Sequence, residues 1–424
     1  MQNKLSGFAY YFLVVALILT PNLPMPASAQ GPIAPMLYLM VFGVFIFFLR
    51  ERFNETIKNR YVGILLVLQF TLLLSDFLRI LLFDVRSEIY YPPIRIVNAC
   101  IFILGIYYFV EKQPEHKSYG LNKTMMRVYI GSIFLACLIL YGQTFGFIQF
   151  GMINQARTFF GIKLPFNKPV GIFDLSDGKL GIMIAPLFFF YVVNAFKKTR
   201  FHKLKYHIPI IFMLGLLILF LQSRSGYLAL VVAGFVFLLI QPVKITKVFL
   251  TVGGALFVLL GVFTNIFSFI WSGLSGEGIY EKNVEGRGEG LVNAVNKFLE
   301  SPILGVGHKD AIRVEGILDD GHIAHNLFLD HLSSGGLIAA LPLSLMFIAF
   351  FYIATKAYLA ARKAKHFRIM GSTIWLTISM IYILIELSFY RGLYNEYVYY
   401  TLGFGVLLYL NYNLLLREKN SAHI

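Results

Sequence analysis

Apolar runs of about 15 to 24 residues recur along the whole chain, separated by polar connections of which the longest is 272–325. A helix of that length crosses a hydrocarbon layer roughly 30 Å thick. Backbone buried in lipid must satisfy its own hydrogen bonds, so the runs are helices or strands of a closed barrel. The strict polar/apolar alternation of a barrel is absent. Only 14% of the residues are charged and 58% are hydrophobic, whereas soluble domains carry about 25% charged residues. The expected fold is therefore an all-α polytopic membrane protein with about twelve transmembrane helices, one membrane-embedded domain over 1–424.

The twelve expected spans are 6–20, 32–49, 61–83, 94–110, 128–148, 179–196, 208–222, 227–240, 248–271, 335–354, 371–389 and 397–416. Alternate connections divide the basic residues unequally: 23 Lys and Arg lie on one side and 13 on the other, with Arg79 inside a span. The richer side, with the loops 50–60, 111–127, 197–207 and 355–370, is the cytoplasmic one by the positive-inside rule. Both termini then face the cytoplasm, and Arg224, the 149–178 loop and a long loop over 272–325 face outward. Lys4, an apolar stretch and Ala27-Ser28-Ala29 also have the outline of a signal peptide. An even number of spans needs that segment retained.

A net charge of +15 would suggest nucleic acid for a soluble protein. Here it is the topology signal, and no nucleic-acid partner is expected. Cys100 and Cys137 both lie in apolar runs and are assigned to packing. No Gly-rich phosphate loop interrupts the cytoplasmic connections, which argues against an ATP-driven machine.

The outward polar sequence is where chemistry is expected. Gln222-Ser223-Arg224-Ser225-Gly226 separates two apolar spans, and Ser-x-Ser-Gly supplies what a tight hairpin needs. Arg224 is unnecessary for that turn. It is either a snorkelling interfacial arginine or an anion clamp, since guanidinium presents a rigid fork of donors to phosphate oxygens. In the long loop, Leu291, Val292, Val295, Phe298 and Leu299 share one helical face, ended by Ser301-Pro302. Such a helix would lie on the membrane surface or over a cavity, with Arg287 just before its first turn. The glycines of Pro302-Ile303-Leu304-Gly305-Val306-Gly307 suggest a close turn. A short helix should start near Asn326, with His325 at its mouth, and break at Gly335-Gly336 before the tenth span.

Three further groups deserve weighing. Asp76 and Arg79 stand at i, i+3 near the outer end of the third span, and Glu386 precedes Arg391 near the outer end of the eleventh. Intramembrane charges are functional candidates, and equally pairs that hold helices around a cavity. His308, Asp310, Asp319, Asp320, His322 and His325 fit no metal-ligand spacing, so neither metal nor cofactor is expected.

The order of these pieces resembles the O-antigen ligase and O-antigen polymerase superfamily of bacterial inner-membrane glycosyltransferases. Arg224 through Leu228 fit its Arg-x3-Leu pattern, His325 through Gly336 its His-x10-Gly pattern, and Pro302 through Gly307 its Pro-x-x-Gly-x-Gly turn. Specific similarity covers about 220–345. The resemblance implies His325 as the catalytic residue and Arg224 and Arg287 as binders of the donor diphosphate; Asn326 and the charges Asp76, Arg79, Glu386 and Arg391 stand beside them as supporting candidates. It implies a donor glycan on undecaprenyl diphosphate and inverting, metal-independent transfer to lipid A-core at the periplasmic face of the inner membrane. A polymerase would instead take a second lipid-linked glycan as acceptor. A lipid-linked glycan flippase or transporter is the alternative from another class. It would show midplane charges and halved symmetry, whereas this chain gathers its polar groups at one surface.

Overall fold

The structure is a computed structural model that describes residues 60–83, 123–147, 158–159, 162–163, 177–195, 204–221, 223–240, 281–306, 326–389, 405–406 and 408–417. Its helices are α1 (Arg60–Phe83), α2 (Lys123–Thr144), α3 (Asp177–Ala195), α4 (Leu204–Phe220), α5 (Arg224–Ile240), α6 (Glu281–Glu300), α7 (Leu327–Lys363) and α8 (Phe367–Phe389). Between α2 and α3, strands β1 (Thr158–Phe159) and β2 (Ile162–Lys163) pair antiparallel, Thr158 opposite Lys163. All other secondary structure among the described residues is helical. The expected spans 6–20, 32–49, 94–110 and 248–271 lie outside the described residues, and the helical residues 405–406 and 408–416 fall on the expected span 397–416.

Helices α7 and α8 are each long and apolar enough to cross a membrane, and α1, α3, α4 and α5 contain shorter apolar stretches. What these helices turn outward is as apolar as what they bury. In α1, Val62, Leu65 and Leu72 are buried while Val67, Phe70 and Leu81 are exposed. In α7, Met346, Phe350 and Ala357 are buried while Leu341, Ile348 and Tyr352 are exposed. A helix apolar all round suits a lipid surrounding rather than water.

Helix α8 packs against α3, α5 and α7, while α1 packs on α7 and α4 on α3. The face of α5 that meets its neighbours carries Gly226, Ala229 and Ala233, all buried. Small residues at such spacing let helices approach closely, which replaces the hydrophobic drive that lipid removes. Side-chain hydrogen bonds add cross-links: Trp375 Nε1 in α8 donates to Pro186 O in α3 at 2.6 Å, and Gln69 Nε2 in α1 donates to Met346 Sδ in α7 at 2.7 Å.

Helices α7 and α8 form an antiparallel hairpin closed by Ala364-Lys365-His366. Ala364 N donates to Ala360 O (2.9 Å) and His366 N to Ala361 O (2.8 Å), with Lys365 left-handed at φ 52°. The basic residues Arg362, Lys363, Lys365 and Arg368 therefore gather at one end of the hairpin. Asn326, Glu386 and Ser388 occupy the other end.

Candidate active site

Helix α5 begins at Arg224, three residues before the expected span 227–240, so Arg224 belongs to the helix rather than to the hairpin. The connection from α4 is only Leu221 to Ser223, and Arg224 is the first residue of α5. The reason is a cap: Ser223 Oγ accepts the Gly226 amide at 3.1 Å, satisfying one of the orphan donors at a helix start. The same hydroxyl donates to Glu386 Oε1 in α8 at 3.2 Å and lies 3.1 Å from Ser225 Oγ. Ser223 and Glu386 are both buried, Glu386 completely. The carboxyl thus sits at the amide-rich start of α5, where the helix dipole favours negative charge.

Two glycines make this junction possible. A Cβ on Gly226 of α5 would stand 2.8 Å from Glu386 Oε1 and 3.1 Å from the Tyr382 hydroxyl. A Cβ on Gly181 of α3 would stand 2.7 Å from that hydroxyl and 3.1 Å from Glu386 Oε1. Three helices therefore meet on the Tyr382 and Glu386 side chains, at i and i+4 of α8. The side chains of Asp76 and Arg79, and all of Arg391, lie outside the described residues, so their pairing is untouched by this geometry.

The second cap belongs to α7. Asn326 is extended (φ −138°, ψ 117°), and its Oδ1 accepts the amides of Phe328 (3.0 Å) and Leu329 (3.1 Å). Its Nδ2 donates to Ser388 O at 3.2 Å. So the last turn of α8 holds the N-caps of both α5 and α7. One cap precedes Arg224 in the chain; the other follows His325, which itself lies outside the described residues.

Helix α7 breaks at Gly336, whose φ of 59° and ψ of −158° are not helical. The break is filled by the Pro302–Gly305 turn. Leu337 N donates to Pro302 O (2.9 Å), Ile338 N to Ile303 O (3.3 Å) and Val306 N to Ser333 O (2.9 Å). The turn supplies backbone partners that the interrupted helix lacks. Gly305 is left-handed too, at φ 71°. A Cβ on it would strike the backbone of Ser334 and Gly335, and one on Gly336 would strike Ile303 and stand 2.7 Å from Gly305 N. Only glycine fits either place. The glycine that closes the His-x10-Gly spacing and the first glycine of Pro-x-x-Gly-x-Gly are thus two halves of one joint.

That joint carries α6, which packs on α7. The expected helix over 291–299 is present and stops at Ser301, but it starts at Glu281. Arg287 consequently stands inside the helix rather than before it. Gly290 and Ala294, at i and i+4, are both buried. The apolar face expected to lie on a surface is open: Val292, Val295 and Leu299 are exposed, and Phe298 is half-buried.

Sequence reasoning passed over Ser223, Tyr382, Asp330 and His331. Asp330 and His331 are buried in the first turn of α7. His331 Nδ1 donates to Leu327 O at 2.8 Å, which protonates that nitrogen because a carbonyl only accepts. Ser-x-x-Gly at 223–226 was the available signal for a capping serine. Among the described residues no group of three His, Cys, Asp or Glu is placed to hold a metal ion.

Comparison with curated proteins gives no match. Residues 209–344 match the family described as O-Antigen ligase. The matched stretch holds Arg224, Arg287, His325, Asn326 and both interlocked glycines, and over these residues the chain is similar to the O-antigen ligase family.

Proposed function

We propose that the protein is an O-antigen ligase-type glycosyltransferase of the bacterial inner membrane, moving a glycan from undecaprenyl diphosphate to lipid A-core at the periplasmic face. The observation that carries this reading is the double cap. Ser223, next to Arg224, and Asn326, next to His325, are both bonded to the last turn of α8. Two helix starts therefore point to one end of the bundle, the end remote from the basic α7–α8 turn. Helix starts are positive dipole ends, and an arginine beside one of them adds a planar fork, a combination suited to a diphosphate.

The chemistry follows from residue types. The acceptor hydroxyl oxygen attacks the anomeric carbon, and the bond from that carbon to the diphosphate oxygen breaks with its electron pair. His325 takes the hydroxyl proton as general base, a role suited to imidazole near pH 7. Arg224 and Arg287 stabilise the negative charge that grows on the departing diphosphate, which matters most where water is scarce. A single displacement inverts the anomeric centre, and no metal or cofactor takes part. Asn326 supports the site by capping α7, and Glu386 by its bond to Ser223. Asp76, Arg79 and Arg391 are proposed as further supporting charges.

The test is transfer of labelled glycan by purified His325→Ala, at protein levels equal to the parent. A loss of about 10²–10⁴-fold is expected from removal of a general base. Undiminished transfer would refute the assignment of the base.

A further inference from the structure

The link between Ser223 and Glu386 crosses 163 residues of sequence and sits one residue from Arg224. Four observations describe it. The Ser223 hydroxyl has one proton; Glu386 Oε1 stands 3.2 Å away and Ser225 Oγ 3.1 Å away, and the carboxylate is the stronger acceptor of the two. The hydroxyl's lone pair receives the Gly226 amide at 3.1 Å. Glu386 is completely buried, so water does not replace the contact. Glycines at 181 and 226 leave room for the carboxyl and for no added methyl group.

A capping serine alone needs only its lone pair, and its hydroxyl proton can turn to any acceptor. Here a buried carboxyl fixes that proton, and with it the rotamer of the cap and the direction in which α5 starts. Arg224 is the first residue of that helix, so the cap that starts the helix also sets where its backbone lies. From this we infer that Glu386 is a positioning residue: it acts through the Ser223 hydroxyl to aim Arg224 at the donor diphosphate. The inference rests on the reading of Arg224 as a diphosphate binder. Ser225, whose hydroxyl lies 3.1 Å from that of Ser223, completes the small polar ring without entering the argument for direction.

A residue that merely held helices together would change everything at once when altered. A residue that aims one arginine at the donor changes donor use specifically. Steady-state transfer is measured for Ser223→Ala, Glu386→Gln, the double variant and Ser223→Thr, varying undecaprenyl-diphosphate glycan and acceptor in turn. Ser223→Ala and Glu386→Gln are each expected to raise the donor KM about tenfold, the scale of one hydrogen bond to a charged group, with acceptor KM unchanged. The double variant should be no worse than Ser223→Ala, since Glu386 acts through Ser223, and Ser223→Thr should restore donor KM. Additive losses, equal rises in both KM values, parental kinetics, or failure of threonine to rescue would each overturn the inference. So would failure of both single variants to yield folded protein, which would make the junction purely architectural. Should Ser223→Ala alone fail to fold, the split between donor and acceptor KM in Glu386→Gln decides. Parental transfer by Arg224→Ala would instead defeat the diphosphate reading itself, and is recognised separately.

Discussion

The Asn326 side-chain amide donates to the Ser388 carbonyl at 3.2 Å while its oxygen caps the first turn of α7. One residue thus performs two separable tasks, starting a helix and tying it to α8. Asn326→Asp keeps the cap and loses the tie; Asn326→Ala loses both. Alanine should cost about 1 kcal/mol in detergent unfolding through the cap, and aspartate less. Both should slow glycan transfer about tenfold, the scale of one hydrogen bond. Full transfer by Asn326→Asp would show that the tie to α8 has no part in activity.

Gly305 and Gly336 form a joint in which neither tolerates a side chain. Gly336→Ala and Gly305→Ala must each accept a left-handed φ and a backbone collision. Each should lose on the order of 3 kcal/mol, seen as a lower unfolding midpoint and reduced protein in the membrane. Unchanged midpoints for both would contradict the interlock.

Two glycines of α5 offer an internal contrast. A methyl group on Gly226 meets Glu386 and Tyr382, whereas one on Gly234 meets nothing within 4 Å. Gly234→Ala should be neutral, or stabilising by about 0.5–1 kcal/mol from helix propensity. Gly226→Ala should lower transfer markedly. Thermal midpoints and transfer rates measured side by side give the comparison, and equal behaviour of the two would contradict the crowded junction.

Arginine and lysine carry the same charge but differ in shape. If Arg224 grips diphosphate oxygens with its planar fork, Arg224→Lys should lose at least about tenfold in donor kcat/KM. A lysine variant as active as the parent removes the bidentate role.

Much of this architecture was legible in the residues. Apolar periodicity located the helices that became α1 to α5, α7 and α8, because in lipid the pattern follows directly from span length. Gly335-Gly336 announced the break in α7, and Ser301-Pro302 the end of α6. The start of α6 lies about ten residues before the expected one, because Gly286, Gly288 and Gly290 are residues that ordinarily mark loop. Arg224 looked like a turn residue for a related reason: its role as helix start depends on the cap that Ser223 makes with Glu386 in reach. Bonds such as Ser223 to Glu386, Asn326 to Ser388 and Trp375 to Pro186 join residues remote in sequence, and no local pattern encodes them.

The central claim is transfer from a lipid diphosphate at the end of the bundle where Ser223 and Asn326 meet α8. Purified protein in lipid is given undecaprenyl-diphosphate glycan, with and without lipid A-core, and products are separated by size. Glycan joined to the core, formed only when core is present, is the predicted result. Lengthening of the lipid-linked glycan without core would mean a polymerase, and lipid scrambling with neither product would contradict the glycosyltransferase account altogether.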